Sequence, residues 1–289
     1  MKVSVIIPSY NHARYLSERI ESVLNQTFRD FEIIILDDCS TDNSRELIQE
    51  YTGKYPQIKT AFNERNSGCP GAQWNKGVGM ATGEFVWIAE SDDTADPEFL
   101  NRTVGEISKS ETTGMIFTGT RILNEEKKIE YKYSNYLLGS QEIVRRLTIK
   151  TLTENPIPNV SSVLFRKEAF KLSGYADESM RYCGDWFLYQ KILQRWDIVF
   201  IPEILSTFRL HKSSGYHMFY SSGRYFSEKM KIYRFILKSG CHKPVICLRM
   251  LWGLLKSMIL RTMYFLRLPD VLVPELPRRP KLFSKTSIN

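Results

Sequence analysis

The sequence predicts an α/β fold in which helices flank a mostly parallel central sheet, followed by a basic helical tail. Three features of the 289 residues predict this fold. Short apolar runs alternate with stretches of helical spacing over the first hundred residues. Polar residues follow those runs, at the strand ends where open α/β sheets bind their ligands. Positive charge gathers in the last quarter of the chain.

The first forty residues contain one βαβ unit. Residues 3–7 and 31–36 are apolar runs of strand length, and residues 15–26 between them carry apolar side chains at helical spacing. Two strands joined by one helix should be parallel. The alternation continues as helix 44–54, strand 58–62, helix 72–81, strand 85–89 and helix 97–109, which begins with a proline.

The next hundred residues are less regular. They give predicted strands over 115–120 and 161–165, a helix over 183–196, and strands over 197–201 and 205–210. No linker-like stretch interrupts residues 1–210. We therefore predict one domain over residues 1–215 and a basic helical tail over residues 216–289.

Cysteine usage and the N-terminal sequence both favour the cytoplasm. The five cysteines are odd in number and include no C-x-x-C pair, which predicts reduced thiols and offers no zinc motif. The apolar run that follows Met1 is too short for a signal peptide. We therefore expect catalysis to face the cytoplasm.

The net charge of +8 is unevenly distributed. Residues 216–289 hold 14 Lys and Arg against 3 Asp and Glu, whereas the rest of the chain holds 26 against 29. A pI of 9.1 alone would suggest a nucleic-acid partner. Because the basic residues of the tail are mixed with large apolar ones, we expect an anionic membrane surface as the partner and no nucleic acid.

Two acidic pairs, Asp37-Asp38 and Asp92-Asp93, follow predicted strands. Adjacent carboxylates repel each other unless a cation or a donor-rich ligand lies between them. Hard divalent cations commonly bind to carboxylates together with substrate phosphates. The alternative is that these acids only cap turns and helices. Two such pairs at strand ends of one sheet favour the cation or ligand site.

A series of motifs, in order along the chain, resembles family 2 glycosyltransferases. The motifs are VSVIIPSYN at 3–11, SVLNQT at 22–27, ILDDCSTD at 35–42, NSG at 66–68, NKG at 75–77, ATGE at 81–84 and SDD at 91–93. The resemblance extends over about residues 2–214. It implies a GT-A fold, a nucleotide-diphospho-sugar donor, and Mg²⁺ or Mn²⁺ as the cofactor.

The resemblance also implies roles for donor-site residues. Pro8 and Tyr10 would belong to the donor site, with Tyr10 lying against the nucleotide base, and Asp38 would accept a hydrogen bond from N3–H of the base. Asp92 would meet the ribose hydroxyls, and Asp93 would coordinate the metal. The diphosphate side of the pocket would be lined by Arg65, Asn66, Gly68 and His211, the last as part of a His-x-x-Ser element.

A later segment, Gly184-Asp185-Trp186, resembles the family's acidic pair before an aromatic residue, with Gly184 in place of the first acid. The resemblance implies that Asp185 is the base that takes the proton from the acceptor hydroxyl. The alternative is that Asp185 is an ordinary acid in the first turn of a helix.

The tail contains a stretch, residues 245–268, in which 17 of 24 residues are apolar and four are basic. Burying four basic residues makes a membrane-spanning helix unfavourable. One helical arc collects Arg249, Gly253, Lys256, Ser257 and Arg267. This arc predicts a basic amphipathic helix that lies in an anionic membrane interface. The alternative is a helix packed on the domain.

Taken together, these features predict an inverting glycosyltransferase on the inner face of the cell membrane. It would move a sugar from a UDP- or dTDP-sugar to a hydroxyl of a saccharide or lipid-linked acceptor in cell-envelope polysaccharide synthesis. The alternative is a non-catalytic nucleotide-sugar-binding or scaffold protein of the same fold. The joint presence of Asp38, Asp92, Asp93 and Asp185 favours the enzyme.

Overall fold

The computed structural model describes residues 2–126, 128–133, 147, 153–211, 223–240, 243–265 and 286–287. The strands are β1 (Val3–Ser9), β2 (Phe31–Asp37), β3 (Ile58–Phe62), β4 (Phe85–Ile88), β5 (Thr94–Ala95), β6 (Thr113–Asn124), β7 (Ile129–Tyr133), β8 (Val163–Arg166), β9 (Asp197–Leu210) and β10 (Thr286–Ser287). The helices are α1 (Ala13–Leu24), α2 (Ser44–Lys54), α3 (Pro70–Met80), α4 (Phe99–Ile107), α5 (Lys167–Leu172), α6 (Gly184–Ile192), α7 (Gly223–Lys238) and α8 (Pro244–Phe265).

The sheet has a parallel half and a mixed half. Strands β3, β2, β1 and β4 are neighbours in that order and run parallel, as the βαβ pattern predicts. Beyond β4 the sheet continues through β8, β6 and β7, each antiparallel to its predecessor. Strand β9 pairs in parallel with β6 and antiparallel with the short β5. The α/β fold with a mostly parallel centre is confirmed.

Both faces of the parallel half are covered by helices. Every residue of β1 is buried. On one face Val5 packs in a cluster with Ile20 of α1, and on the other face Ile6 packs with Trp74 and Val78 of α3. Strands covered on both faces have continuous apolar sequences, which is why residues 3–7 and 31–36 show no polar alternation.

The elements after residue 110 differ most from the prediction. Residues 197–210 form one strand, β9, where two were expected, because β9 passes Pro202 by shifting its register against β6 near Gly119. The carbonyl oxygens of Pro202 and Glu203 would lie only 2.8 and 2.9 Å from a Cβ at position 119, so only glycine fits there. Helix α5 and strand β7 had not been predicted, whereas α7 lies within the tail that was expected to be helical.

The described part of the predicted tail packs on the domain. Helices α7 and α8 share an apolar cluster with α6, and this cluster includes Trp186, Phe187, Ile232, Ile246 and Met250. The packed-helix alternative therefore describes one side of α8. The boundary at residue 215 and residues 266–285, which include Arg267, lie outside the described residues.

The arrangement of α8 differs from the expected one. Gly253 and Ser257 of the expected polar arc are buried against α7 and residue 154. The outward side instead carries large apolar residues that are each at least 48% exposed: Val245, Leu248, Leu251, Trp252, Leu255, Met258 and Ile259. These seven residues form the α8 outer face. Within the described residues, no helix has the combined length and apolarity needed to cross a bilayer.

Candidate active site

The candidate site lies at the carboxyl ends of β1, β2 and β4. Ser9 at the end of β1 pairs with Asp37 at the end of β2, and Ile6 pairs with Ile88 at the end of β4. Because these strands are parallel, the residues that follow them meet at one edge of the sheet. Tyr10, Asp38 and the segment 89–93 are therefore brought together, as the sequence predicted.

The loops after β1 and β2 hold each other in place. Asn11 and Cys39 both have positive φ angles, 54° and 66°. The Asn11 side chain accepts a hydrogen bond from the Thr41 backbone N–H at 2.7 Å, and the Ser40 hydroxyl accepts one from the Asn11 N–H at 2.9 Å. With Pro8 buried beneath it, Tyr10 is left 45% exposed at the edge of the sheet. An exposed ring on a braced loop is suited to stacking on a nucleotide base.

Asp38 organises the opposite wall of the site. Its carboxylate, in a residue that is 6% exposed, accepts hydrogen bonds from Asn63 Nδ2 at 2.7 Å, Gln73 Nε2 at 2.8 Å and the Ser67 N–H at 2.9 Å. These bonds fix the loop between β3 and α3 against β2. Any base N–H bound by Asp38 would share the carboxylate with these internal donors, so its predicted role toward the base stays a prediction.

The loop of residues 65–68 is shaped by its own side chains. Asn66 accepts a hydrogen bond from the Gly68 N–H at 2.7 Å and donates one to the Asp38 carbonyl at 3.1 Å. Gly68 has a φ of +67°, which glycine adopts without strain. Arg65, at the start of the loop, is exposed. The loop therefore brings one cation, Arg65, beside the predicted diphosphate position, while the Ser67 and Gly68 N–H groups already bind Asp38 and Asn66.

Asp92 and Asp93 face different surroundings. One oxygen of Asp92 lies 3.0 Å from Nε2 of His211. Asp93 is 2% exposed, and its oxygens accept hydrogen bonds from Asn159 Nδ2 at 2.8 Å and from the Arg209 N–H at 3.1 Å. Burial and the neighbouring charge of Asp92 raise the pKa of Asp93. The geometry therefore favours Asp92 over Asp93 as the acid that faces a ligand or cation.

A second imidazole completes this corner. His12, Asp92 and His211 bring one ligand atom each to within 4.8 Å of one another. Nδ1 of His12 lies 2.7 Å from the Ser91 hydroxyl. Burial lowers the pKa of His12, which favours the neutral imidazole that metals require. Sequence reasoning assigned no role to His12, because it belongs to none of the acidic motifs.

The acidic edge contains an internal counter-charge. Arg19 of α1 is fully buried, donates from Nε to the Glu90 carbonyl at 2.9 Å, and lies over the ring of Trp87. Burial lowers the pKa of Arg19 to about 10, and the charges of Asp93 and Asp92 oppose that effect. The guanidinium therefore stays charged and offsets the repulsion between the two carboxylates.

Glu90 also lies at this edge of the sheet, although the sequence motifs gave it no role. Its carboxyl accepts a hydrogen bond from Trp74 Nε1 at 2.7 Å. Burial, with the charge of Asp92, raises the pKa of Glu90 to about 8. The group is therefore mostly protonated at neutral pH and can donate a hydrogen bond to a ligand hydroxyl. The signal in the sequence was its place one residue before Ser91-Asp92-Asp93.

Asp185 lies in the first turn of α6. It accepts hydrogen bonds from the Trp186 N–H at 2.6 Å and from Asn155 Nδ2 at 3.2 Å. Burial outweighs these bonds and raises the pKa of Asp185 to about 6. A carboxylate whose pKa lies just below neutral pH is ionised there, yet it accepts a proton more readily than an exposed aspartate.

Two links connect Asp185 with the acidic edge. Burial raises the pKa of the Tyr189 hydroxyl, and the nearby Asp185 and Glu90 carboxyl groups raise it further. The segment 155–159 contacts Asp185 through Asn155 and Asp93 through Asn159. The predicted base and the strand-end acids therefore border the same region. The Ser214 of the predicted His-x-x-Ser element lies outside the described residues.

Comparison with known proteins agrees with this geometry. Residues 4–172 match the family model described as glycosyl transferase family 2. An uncharacterised glycosyltransferase of Nostoc sp. is 34% identical over 226 residues, which cover 75% of this chain and 67% of the relative. Chondroitin synthase of Escherichia coli is 27% identical over 209 residues, which cover 72% of this chain but only 29% of that enzyme.

A poly(ribitol-phosphate) glycosyltransferase is similar in both sequence and structure. Poly(ribitol-phosphate) β-N-acetylglucosaminyltransferase TarS of Staphylococcus aureus is 40% identical over 102 residues, which cover 35% of this chain and 18% of TarS. The structure of TarS 1–349 in complex with UDP-GlcNAc matches with a TM-score of 0.69 at 20% identity, covering 96% of this chain and 76% of that one.

A mannosyltransferase of Pyrobaculum calidifontis in complex with GDP-Man and Mn²⁺ matches with a TM-score of 0.64 at 18% identity. The match covers 90% of this chain and 73% of that one. Both structural likenesses show the GT-A fold that the motifs predicted. Since the family model covers more than half of the chain and its motifs follow in order along the strand-end site, the protein belongs to glycosyl transferase family 2.

Proposed function

We propose that the protein is an inverting glycosyltransferase. It transfers a sugar from a nucleotide-diphospho-sugar, a UDP- or dTDP-sugar, to a hydroxyl of a saccharide or lipid-linked acceptor in cell-envelope polysaccharide synthesis. The observation that carries the proposal is Asp185, a buried carboxylate with its pKa raised to about 6, bordering the strand-end acids of the sheet. Two relatives, a chondroitin synthase and a poly(ribitol-phosphate) β-N-acetylglucosaminyltransferase, support the substrate class.

The reaction is a single displacement. The acceptor hydroxyl oxygen forms a bond to the anomeric carbon while the bond from that carbon to the diphosphate oxygen breaks. Asp185 takes the hydroxyl proton as the attack proceeds. Because the acceptor attacks opposite the leaving diphosphate, the product has the opposite anomeric configuration. No second nucleophile is needed, so one acid on the acceptor side is sufficient.

The donor is bound by the loops at the sheet edge. Tyr10 stacks on the base, and Asp38 accepts from its N3–H while bracing the loop of residues 65–68. The Arg65 side chain contacts the diphosphate, and the loop that contains Asn66 and Gly68 lines that side of the pocket. Glu90, mostly protonated at neutral pH, donates a hydrogen bond to a ribose or sugar hydroxyl.

Asp92, His211 and His12 fit a divalent cation. One carboxylate and two imidazoles within 4.8 Å of one another form a mixed oxygen and nitrogen set. Such a set suits Mn²⁺ better than Mg²⁺, which prefers oxygen ligands. When bound, the cation would neutralise negative charge on the departing diphosphate. In this assignment Asp93 braces β9 and Asn159 rather than binding the metal.

The membrane side of the proposal depends on α8. Its outer face exposes seven large apolar side chains, and exposed basic residues such as Lys243 and Arg249 accompany it. An apolar strip accompanied by positive charge is suited to lying in the headgroup region of an anionic bilayer. The opposite side of α8 packs on α7, so docking would hold the catalytic domain at the inner face of the cell membrane.

The anomeric outcome of the reaction tests the catalytic proposal. A panel of nucleotide sugars would be screened with Mn²⁺ for turnover, and the product of the active donor analysed by NMR. We expect inversion, donor affinity within a few-fold of wild type in Asp185→Asn, and a transfer rate lowered by about 10²–10⁴ in that variant. Retention of configuration would refute the mechanism. Tight donor binding without transfer to any acceptor would support the scaffold alternative.

A further inference from the structure

The helix α7 makes an unusual contact with the chain just before Asp185. The carboxylate of Glu228, in a residue that is 5% exposed, accepts hydrogen bonds from three consecutive backbone N–H groups. The donors are Arg181 at 2.8 Å, Tyr182 at 2.9 Å and Cys183 at 2.9 Å. These residues precede Asp185 by two to four positions, so Glu228 fixes the backbone from which α6 begins.

The next residue of α7 reaches the other side of Asp185. Lys229 is 2% exposed, and its Nζ lies 3.3 Å from a carboxylate oxygen of Glu154. The Tyr233 hydroxyl donates to the same carboxylate at 3.1 Å. Glu154 is followed directly by Asn155, whose amide donates to Asp185. Lys229 and Tyr233 therefore fix the segment that carries the hydrogen-bond donor of Asp185.

The same lysine ties α8 into this arrangement. Lys229 Nζ lies 3.1 Å from the Gly253 carbonyl and 3.2 Å from the Ser257 hydroxyl, both on α8. A Cβ at position 253 would collide with the Glu154 carboxylate and the Tyr233 hydroxyl. The absence of a side chain at Gly253 thus lets α8 close over the Lys229–Glu154 pair.

We propose that α7 is a positioning element for catalysis, in which Glu228 and Lys229 hold the two segments that flank Asp185. This inference rests on the proposed function, since it takes Asp185 as the base. Neighbouring positions of one helix thus control the backbone before Asp185 and the amide that donates to it. The C-terminal helices are then part of the active-site framework as well as a candidate membrane anchor.

Packing alone does not require these charges. Ile232, Tyr233 and Ile236 of α7 already supply buried apolar contacts to the cluster around Trp186. Replacing buried charged groups with well-packed apolar residues of similar size is often neutral or stabilising, so we attribute these charges to the geometry that they impose. Here that geometry concerns the main chain at residues 181–183 and the side chain of Asn155.

The test measures donor binding and transfer separately in Glu228→Gln and Glu154→Gln. In Glu228→Gln the side chain keeps one acceptor oxygen and has no negative charge, so its hydrogen bonds with the three N–H groups are fewer and weaker. We expect a transfer rate at saturating substrates lowered by about 10–100-fold, as misplacement of a catalytic group does, with the dissociation constant for UDP unchanged within about twofold. Glu154→Gln serves as the second variant, because the Glu154 side chain is 46% exposed.

Ile236→Val is the matched control. It loosens the packing of α7 without altering a polar contact. If a merely looser helix explained the loss of rate, Ile236→Val would reduce transfer in proportion to its loss in melting temperature. We expect instead a near-normal rate in Ile236→Val and a much lower one in Glu228→Gln when both have similar melting temperatures.

A double variant separates this inference from the proposed function. If Glu228 acts through Asp185, adding Glu228→Gln to Asp185→Asn should lower transfer no further. An additive loss, or wild-type transfer in both single variants at positions 228 and 154, would overturn the positioning role. Near-normal transfer in Asp185→Asn alone would instead overturn the base assignment of the proposed function, whatever the result at Glu228.

Discussion

The Nε2 atom of His211 lies 3.0 Å from a carboxylate oxygen of Asp92, and this contact joins the end of β9 to the loop after β4. The adjacent Asp93 points the other way, into donors from Asn159 and Arg209. Two acids that are neighbours in sequence therefore contact different partners, His211 for Asp92 and Asn159 with Arg209 for Asp93. The distinction can be tested with metal.

We expect Asp92→Asn and His211→Ala to abolish the rise in melting temperature that Mn²⁺ causes with UDP. Asp93→Asn should keep that rise while lowering the melting temperature in both conditions, because it disturbs a buried hydrogen-bond pair. Thermal melts with and without Mn²⁺ and UDP provide the measurement. If Asp93→Asn lost the Mn²⁺-dependent rise in melting temperature and Asp92→Asn kept it, Asp93 would be the metal ligand instead.

The transfer rate should depend on pH through Asp185. Burial raises the pKa of Asp185 to about 6, and the base works only when ionised, so the rate should fall as pH drops below about 6. The hydrogen bond from Asn155 favours the ionised form. Asn155→Ala should therefore move the acidic limb of the pH–rate profile to higher pH. An acidic limb that stays at the wild-type pH in Asn155→Ala would assign it to another group.

The α8 outer face should bind anionic vesicles. The paired change Leu248→Glu and Trp252→Glu places charge in the middle of that face and should abolish co-sedimentation with vesicles of equal parts phosphatidylglycerol and phosphatidylcholine. Leu172→Glu, at a 54% exposed position of α5, is the matched control and should leave binding intact. Failure of the wild-type protein to co-sediment at low salt would refute the membrane role, and a dimer lost in the paired variant would reassign the face to self-association.

Glu32 should make stability depend on pH in the acidic range. Burial alone would raise the pKa of Glu32, but hydrogen bonds from Lys59, Thr82 and Ser4 outweigh it and lower the pKa to about 2. A depressed pKa in the folded state adds stability above the unfolded value, and this stability is lost as pH falls from about 4.5 to about 2.

We therefore expect Glu32→Gln to reduce the free energy of unfolding by about 1–3 kcal/mol at pH 7 and by much less near pH 2. Urea unfolding at both pH values provides the measurement. Glu50→Gln removes an exposed pair with Lys54 and should change stability by less than about 0.5 kcal/mol. Equal losses in the free energy of unfolding for the two variants at pH 7 would show that the hydrogen bonds of Glu32 contribute no more than an exposed ion pair.

Gly253→Ala should destabilise the contact between α7 and α8. The added methyl group meets the Glu154 carboxylate and the Tyr233 hydroxyl, so we expect a loss of about 1–3 kcal/mol. Gly79→Ala on α3 has open space around it and should be neutral or stabilising by about 0.5–1 kcal/mol, because alanine favours a helix. Chemical denaturation measures the free energy of unfolding of both variants. An unchanged value in Gly253→Ala would show that α8 does not pack tightly against Glu154 and Tyr233.

The parallel half of the fold could be predicted because its signals are local. Strands buried on both faces gave uninterrupted apolar runs, and helices such as α2 showed their spacing within one segment. Strand β9 was divided wrongly, because its continuity past Pro202 depends on the partner residue Gly119, which lies about eighty positions earlier. No window along the chain contains both.

The sequence motifs predicted which residues meet at the site, but not which contacts each side chain makes. Tyr10, Asp38 and Asp92 could be placed together, because parallel strand ends meet at one edge. The different partners of Asp92 and Asp93 could not be predicted, because the partners of Asp93 are Asn159 and Arg209, which come from distant segments. His12 and Glu228 lack a sequence motif, and only the folded chain shows what each contacts.

The buried guanidinium of Arg19 constrains how this protein can change over evolutionary time. It is the charge that allows Asp92 and Asp93 to coexist beside Glu90 in an enclosed space. A descendant that replaced it with a neutral residue would leave an uncompensated negative charge, so we expect it to lose an acid at position 92 or 93 as well. In an alignment of relatives, position 19 and the acidic strand end should therefore vary together, although about seventy residues separate them in the chain.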